Sequence, residues 1–207
     1  MTLYDIKPRF QALLRPLVKQ LAGRGVTANQ VTLGAAIGSI VIGGVLYQYA
    51  HMPVWFLLLP IWMFLRMALN AIDGMLAREF NQQSKLGAYL NELCDVVSDA
   101  ALYLPFALLA PFSFFSVGVV IFLATLSEFA GVLGLTVGAA RRYDGPLGKS
   151  DRAFVFGALG LWVGLAGNLP GWIVWLMPLL SALLALTIYN RVNRALNLDS
   201  AVDHFIK

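Results

Sequence analysis

Six apolar stretches, each about as long as a bilayer is thick, dominate this 207-residue chain and leave few architectures open to it. A hydrocarbon core ~30 Å thick needs about 20 mostly apolar helical residues. Val31–Ala50, Pro53–Arg78, Leu86–Ala110, Phe114–Ala140, Arg152–Asn168 and Trp172–Arg191 meet that demand. The fifth is short and needs tilt or a neighbouring cavity. His51–Pro53, Pro111–Ser113 and Asn168–Gly171 leave room only for tight turns, so spans 1/2, 3/4 and 5/6 form antiparallel hairpins. Only 13% of residues are charged and 59% are hydrophobic, against roughly 25% charged in an ordinary globular domain. A soluble enzyme around one buried core is therefore excluded. The single cysteine, Cys94, excludes an internal disulfide and a cysteine zinc cluster.

The basic residues choose the side. Lys7, Arg9, Arg15, Lys19 and Arg24 precede span 1, and Arg78 and Lys85 lie between spans 2 and 3. Arg141, Arg142, Lys149 and Arg152 lie between spans 4 and 5, and Arg191, Arg194 and Lys207 follow span 6. The three opposite turns hold no Lys or Arg. Positive charge marks the cytoplasmic face, which predicts both termini in the cytoplasm. Residues 1–30 are basic and amphipathic, without the apolar core and cleavage site of a secretory signal. Ile6, Phe10, Leu13, Leu14, Leu17, Val18 and Leu21 recur at helical spacing with Lys7, Arg9, Arg15 and Lys19 off that stripe. Such a helix lies in the interface of an anionic leaflet, and Pro16 predicts a kink in it. The expected fold is thus an all-α integral membrane protein. It is one domain over residues 1–207, with an N-terminal amphipathic interfacial helix in 1–26 and six transmembrane helices in 31–191.

Polar residues inside spans are where function is normally found. Span 2 carries Arg66, Asn70, Asp73, Gly74 and Ala77 on one face. Span 3 carries Gly87, Ala88, Asn91, Glu92, Asp95, Ser98 and Asp99 on another, and span 4 adds Glu128. Five acids stand against one arginine, so the remainder must be protonated, hydrated or bound to a cation. Oxygen ligands without histidine or cysteine point to Mg²⁺ or a similar hard ion. At 1.5 Å per residue, Arg66, Asp99 and Glu128 share a level roughly 18–20 Å from the cytoplasmic ends of their helices. That predicts a structural charge lock in which Arg66 pairs with Asp99, Glu128 or both, beneath a shallower site around Asp73. Gly74, Ala77 and Gly87 are small either for close helix packing or to let a flat ligand approach the backbone. Cys94, His51 and His204 are bystanders.

The run Asn70-Ala-Ile-Asp73-Gly74-Met-Leu-Ala77-Arg78, then Gly87, Asn91 and Asp95, resembles the signature of the CDP-alcohol phosphotransferase family. That signature reads Asp-x2-Asp-Gly-x2-Ala-Arg-x8-Gly-x3-Asp-x3-Asp, and six of its eight fixed positions match with the spacing intact. Thr27-Ala28-Asn29-Gln30-Val31-Thr32 resembles the family's Thr-Pro-Asn-x-x-Thr segment, and Gly148-Lys149 its Gly-Lys element. The resemblance implies transfer of a phosphatidyl group from CDP-diacylglycerol to an alcohol, with release of CMP, in phospholipid synthesis. It implies a bacterial inner-membrane enzyme with a cytoplasmic active site, acting as a homodimer and binding no nucleic acid. In the family the four aspartates hold two divalent ions, Mg²⁺ or Mn²⁺, and the last is the proposed base. Position by position, Asp73 becomes a metal ligand, and Asp95 a metal ligand and the catalytic base. Gly74, Ala77, Arg78 and Gly87 border the nucleotide together with Asp73, and Asn29 and Thr32 close that pocket. Lys149, Arg152 and Arg191 or Arg194 face an anionic acceptor, although topology alone also asks for basic residues there.

Two aspartates of the signature are Asn70 and Asn91 here. An asparagine can ligate a hard ion through its carbonyl oxygen but supplies no charge. Glu92 neighbours Asn91 and shares a face with Asp95 and Asp99, so it is expected to reach the ion the lost carboxylate would have held. One firm ion and a weaker second one follow. Two other readings stay open: a family member that binds CDP-lipid without turnover, and a small cation- or proton-coupled transporter.

Overall fold

The computed structural model describes the backbone of residues 3–203 and the side chains of residues 10–197. The expected interfacial positions Ile6, Lys7 and Arg9, together with His204 and Lys207, lie outside the described side chains. Seven α-helices follow one another: α1 (Leu3–Gly23), α2 (Ala28–Gln48), α3 (Leu58–Glu79), α4 (Lys85–Tyr103), α5 (Phe114–Leu133), α6 (Lys149–Ala166) and α7 (Leu176–Asp203). No strand occurs among the described residues.

Local sequence sets the helix boundaries. Thr27 caps α2 reciprocally: its hydroxyl accepts from Gln30 N at 3.2 Å, and Gln30 Oε1 accepts from Thr27 N at 2.9 Å. Ser84 caps α4 by accepting from Gly87 N at 2.9 Å. Asp151, in the first turn of α6, accepts from Gly148 N at 2.9 Å. α6 stops at Gly167, whose φ of 76° is left-handed. The expected tight turns are extended by 3₁₀ segments at Pro53–Leu57, Leu104–Leu108 and Gly171–Trp175. The α-helical parts of spans 2, 3 and 6 are correspondingly shorter than apolarity alone indicates, and α5 passes into a 3₁₀ turn at Gly134–Val137. α1 runs as one helix from Leu3 to Gly23, through Pro16.

The helices pack as a bundle, with α2 against α3 and α4, α3 against α6, and α5 against α4 and α7. Gly43 sets how closely α2 meets α4, since a Cβ there would lie 2.7 Å from the Ala101 carbonyl carbon. The core is built from Phe56, Leu59, Tyr103, Phe106 and Phe156, with the Tyr103 and Phe156 rings stacked at 3.7 Å. α1 lies on the side of α3, burying Val18 against Ile72, Met75 and Leu76. Outward faces stay apolar, as at Ile37, Ile61, Phe122, Phe154 and Leu179. In water such faces would aggregate; in lipid they are the normal surface.

Among the described residues four stretches are long and apolar enough to cross a membrane: Ala28–Gln48, Pro53–Glu79, Phe114–Val137 and Gly171–Asn197. The other two expected spans, α4 and α6, are the charged ones. α4 carries Lys85, Glu92, Asp95 and Asp99, and the 18-residue α6 carries Lys149, Asp151 and Arg152.

Candidate active site

A cleft of about 660 Å³ opens where the N-terminal turns of α2 and α4 meet the C-terminal half of α3. Each helix contributes residues for a local reason. The Thr27 and Ser84 caps start α2 and α4 at the cleft rim, so the positive ends of two helix dipoles converge there. Gln82, in the α3–α4 turn, ties the two ends together by accepting from Ala28 N at 2.7 Å and donating to Val26 O at 3.4 Å. Gly87 is required by close approach: a Cβ there would lie 2.8 Å from Asn29 Oδ1 and 3.0 Å from Ser84 Oγ.

All seven residues expected around a nucleotide line this one cleft: Asn29 and Thr32 from α2, Asp73, Gly74, Ala77 and Arg78 from α3, and Gly87 from α4. Thr32 Oγ1 lies 2.8 Å from Asp73 Oδ2 and 3.1 Å from Ala28 O, so the hydroxyl orients the carboxylate toward the cleft. The Arg78 guanidinium folds back over Gly74, where a Cβ would meet its nitrogens at 3.0 and 3.2 Å. Asn91, Glu92 and Lys85 also face the cleft. The helix ends, Arg78 and Lys85 make this an anion-binding pocket with two carboxylates, Asp73 and Glu92, on its wall, the second of them held by Arg141.

Asp95 sits deeper and is engaged on both oxygens. Its Oδ1 accepts from Arg66 Nη2 at 3.0 Å and from Asn70 Nδ2 at 3.3 Å, and its Oδ2 pairs with the Lys149 ammonium. Beneath it the charges form a continuous network. Arg66 Nη1 meets Asp99 Oδ1 at 2.6 Å, and Arg152 Nη2 bridges Asp99 Oδ2 and Glu128 Oε1 at 2.9 Å each. Arg191 Nη1 donates to Ser127 O and lies 3.4 Å from Glu128 Oε2.

Three expectations change here. Most of the excess of acid is met inside the fold. Glu92, Asp95, Asp99 and Glu128 pair with Arg66, Arg141, Lys149, Arg152 and Arg191, whereas Asp73 makes no ion pair and is held by the Thr32 hydroxyl. Arg152 and Arg191 do not present themselves to an acceptor, because each is 1% exposed and spent on buried acids. Glu92 does not turn toward an ion, because Arg141 grips it at 2.5 and 2.7 Å. Glu128 is reached by Arg152, Arg141 and Arg191, whereas Arg66 goes to Asp95 and Asp99.

Sequence reasoning missed Arg141, Gln82 and the place of Lys85. Arg141 and Lys85 are legible only as topology signals, and Gln82 sits in an uncharged turn with no motif of its own.

The donor set limits what metal the site can hold. Among the described residues no three acid, histidine or cysteine side chains converge. Asp73 and Asp95 are the carboxylates at the four positions of the signature, and Asn70 and Asn91 stand at the other two.

A sequence model of the CDP-alcohol phosphatidyltransferase family matches residues 25–190 of the chain. The inner membrane protein YnbA of Escherichia coli is 49% identical over 205 residues, covering 98% of this chain and 100% of YnbA. An archaetidylinositol phosphate synthase of Pyrococcus horikoshii is 33% identical over 51% of this chain and 54% of its own length. In three dimensions the chain is similar to the crystal structure of Mycobacterium tuberculosis phosphatidylinositol phosphate synthase in complex with manganese and citrate. The TM-score is 0.70 over 87% of each chain at 19% identity, a likeness of fold.

Proposed function

The chain belongs to the CDP-alcohol phosphatidyltransferase family, and we propose from this that it transfers the phosphatidyl group of CDP-diacylglycerol to an alcohol and releases CMP. One observation carries the reading at the level of residues. The seven positions that the family resemblance assigns to the nucleotide come from three helices and line a single cleft. That cleft has the electropositive rim a pyrophosphate needs, supplied by two helix N-termini, Arg78 and Lys85.

In the reaction the acceptor hydroxyl attacks the phosphorus of the phosphatidyl group, the bond from that phosphorus to the CMP oxygen breaks, and CMP leaves with the bonding electrons. The hydroxyl proton passes to Asp95, a buried carboxylate one helical turn beyond Asn91 of the cleft wall. Arg66 and Asn70 hold Oδ1 of Asp95, which leaves Oδ2 as the proton acceptor once Lys149 moves aside. Thr32 orients Asp73. A single Mg²⁺ or Mn²⁺ would be held by Asp73 and Asp95 with the carbonyls of Asn70 and Asn91, and would supply charge neutralisation to the pyrophosphate. Gly74, Ala77 and Gly87 let the cytidine lie against the backbone, and Asn29 closes the pocket. For an anionic acceptor group, Lys149 and Arg194 are the members of the expected basic set with accessible side chains, at 29% and 65%.

The same reading places α4 and α6 in the membrane beside the four apolar spans. Asp95, Asp99 and Arg152 are buried in the network, which removes the cost of exposing them to lipid, while Lys85 and Asp151 are exposed in the first turns of their helices. It puts both termini and the cleft on the cytoplasmic side of a bacterial inner membrane, α1 in the interface, residues 1–207 in one domain and the chain in a homodimer.

The test is CMP release from CDP-diacylglycerol by purified protein in detergent, with and without Mg²⁺ or Mn²⁺, over a panel of alcohols that includes glycerol phosphate, inositol phosphate and serine. Metal-dependent release that is lost in Asp95→Asn supports the transferase and names its acceptor. CMP binding without release from any acceptor would mark a retired site, the outcome that Asn70, Asn91 and the Lys149–Asp95 pair would then explain.

A further inference from the structure

The basic side chains expected around an acceptor are all tied to acids. Lys149 pairs with Asp95, and Arg194 Nη1 meets Asp144 Oδ1 at 2.6 Å. Arg152 uses every nitrogen of its guanidinium inside the fold. Nε and Nη2 donate to Asp99 Oδ2 at 3.2 and 2.9 Å, Nη2 also to Glu128 Oε1 at 2.9 Å, and Nη1 to Leu147 O at 3.4 Å. Arg191 is held by Glu128, by Ser127 O and by Asp144 O. Arg141, in the segment between α5 and α6, closes on both oxygens of Glu92. The nucleotide cleft differs. Arg78 and Lys85 line it, and among the described residues neither makes an ion pair or a hydrogen bond.

That asymmetry discriminates between kinds of acceptor. A phosphate monoester brings roughly −1.5 to −2 charges at pH 7 and oxygens that seek cations. Near Asp95 it would meet cations already held by carboxylates. To bind, it would have to draw Arg152 or Arg191 out of sites where each is 1% exposed, leaving Glu128 or Asp99 as an orphaned buried charge. An alcohol hydroxyl asks for none of this. It donates to a carboxylate and accepts from an amide, and Glu92 and Asn91 on the cleft wall are groups of those two kinds.

We propose that the acceptor is an alcohol without a phosphate monoester, its hydroxyl belonging to a free polyol or amino alcohol or to a lipid headgroup. The proposal rests on the phosphatidyl-transfer reading for there being an acceptor at all.

The test compares CMP release by the wild-type full chain in detergent over matched pairs: glycerol and glycerol phosphate, inositol and inositol phosphate, serine and phosphoserine. Phosphatidylglycerol is added as a lipid hydroxyl. In whichever pair is used, the unphosphorylated member is expected to react faster by about tenfold or more at equal concentration. Release with phosphatidylglycerol alone also supports the proposal and names the lipid as the source. A smaller ratio, or faster release with the phosphorylated member, overturns it.

A second measurement needs no turnover. With the nucleotide cleft filled by saturating CMP, glycerol phosphate, inositol phosphate and inorganic phosphate are each titrated into the protein by calorimetry. No saturable binding is expected, and a Kd of about 1 mM or tighter for any of them overturns the proposal. The two measurements separate the claims. Absent release with every alcohol removes the transferase reading, while the titration still decides whether these basic side chains form a phosphate site.

Discussion

Arg66 on α3 donates to Asp99 on α4 at 2.6 Å, and this pair is the inner end of a chain of charges that continues through Arg152 to Glu128 on α5. Each of these residues is 5% exposed or less. Burying them costs free energy that their mutual attraction only roughly offsets, so the network gives the bundle a unique register more than extra stability. Its energetic weight appears when one partner is taken away.

Replacing Arg66 by Met therefore leaves Asp99 with Arg152 alone and Asp95 with Lys149 and Asn70. The expected cost is about 3–5 kcal/mol, the range for an orphaned buried charge. Thermal or denaturant unfolding in detergent measures it. Asp99→Asn, which keeps the shape and removes the charge, should recover part of the loss when combined with Arg66→Met. A double variant as unstable as the sum of the singles would show that the two do not act as a pair.

Arg152 gives a sharper contrast, since sequence reasoning sends it to an acceptor and the fold sends it inward. Arg152→Ala removes the only described bridge between Asp99 and Glu128. The expected outcome is loss of monodisperse protein on size exclusion, or a fall in unfolding midpoint, with no selective rise in acceptor KM in whatever remains folded. A folded variant with wild-type stability and a raised KM would return Arg152 to the acceptor.

How far the site was legible in the sequence depends on what makes a residue stand out. Arg66, Asp73, Asp95, Asp99 and Glu128 are conspicuous because charge inside an apolar span needs a reason. Helical spacing then puts the motif residues of α3 and α4 on facing stripes. Arg141, Lys149, Arg152 and Arg191 are opaque for the opposite reason. Basic residues at span ends satisfy the topology rule wherever their side chains point, and nothing in periodicity tells that a long stem folds back into the bundle. The same holds for the turn segments. Pro53–Leu57 and Gly171–Trp175 are as apolar as the helices they precede, so composition cannot mark where 3₁₀ gives way to α.

Arg78 separates binding from stability. It lines the cleft, and among the described residues it makes no hydrogen bond or ion pair. Arg78→Ala is therefore expected to change unfolding free energy by no more than about 0.5 kcal/mol. Its loss removes a charge-assisted contact to phosphate, worth about 1.5–3 kcal/mol, so CMP or CDP-lipid affinity should drop by roughly tenfold to a hundredfold. Isothermal titration with CMP gives the affinity and a parallel thermal scan gives the stability. Unchanged affinity would remove Arg78 from the nucleotide site.

Gly87 tests whether the cleft is shaped by side-chain approach rather than by backbone flexibility. It lies in the first turn of α4 with ordinary helical geometry, so alanine there carries no conformational penalty and is the better helix former. The added methyl would nonetheless sit 2.8 Å from Asn29 Oδ1 and 3.0 Å from the capping Ser84 Oγ. Asn29 is a side chain and can move, while Ser84 is fixed by its bond to Gly87 N. The expected result for Gly87→Ala is displacement of Asn29 into the cleft, a fall in CMP affinity of about tenfold, and an unfolding midpoint within a few degrees of wild type. Adding Asn29→Ala to Gly87→Ala should restore the volume, though not the hydrogen bond, and recover part of the affinity. If Gly87→Ala binds CMP as tightly as wild type, the close contact with Asn29 does not shape the nucleotide pocket.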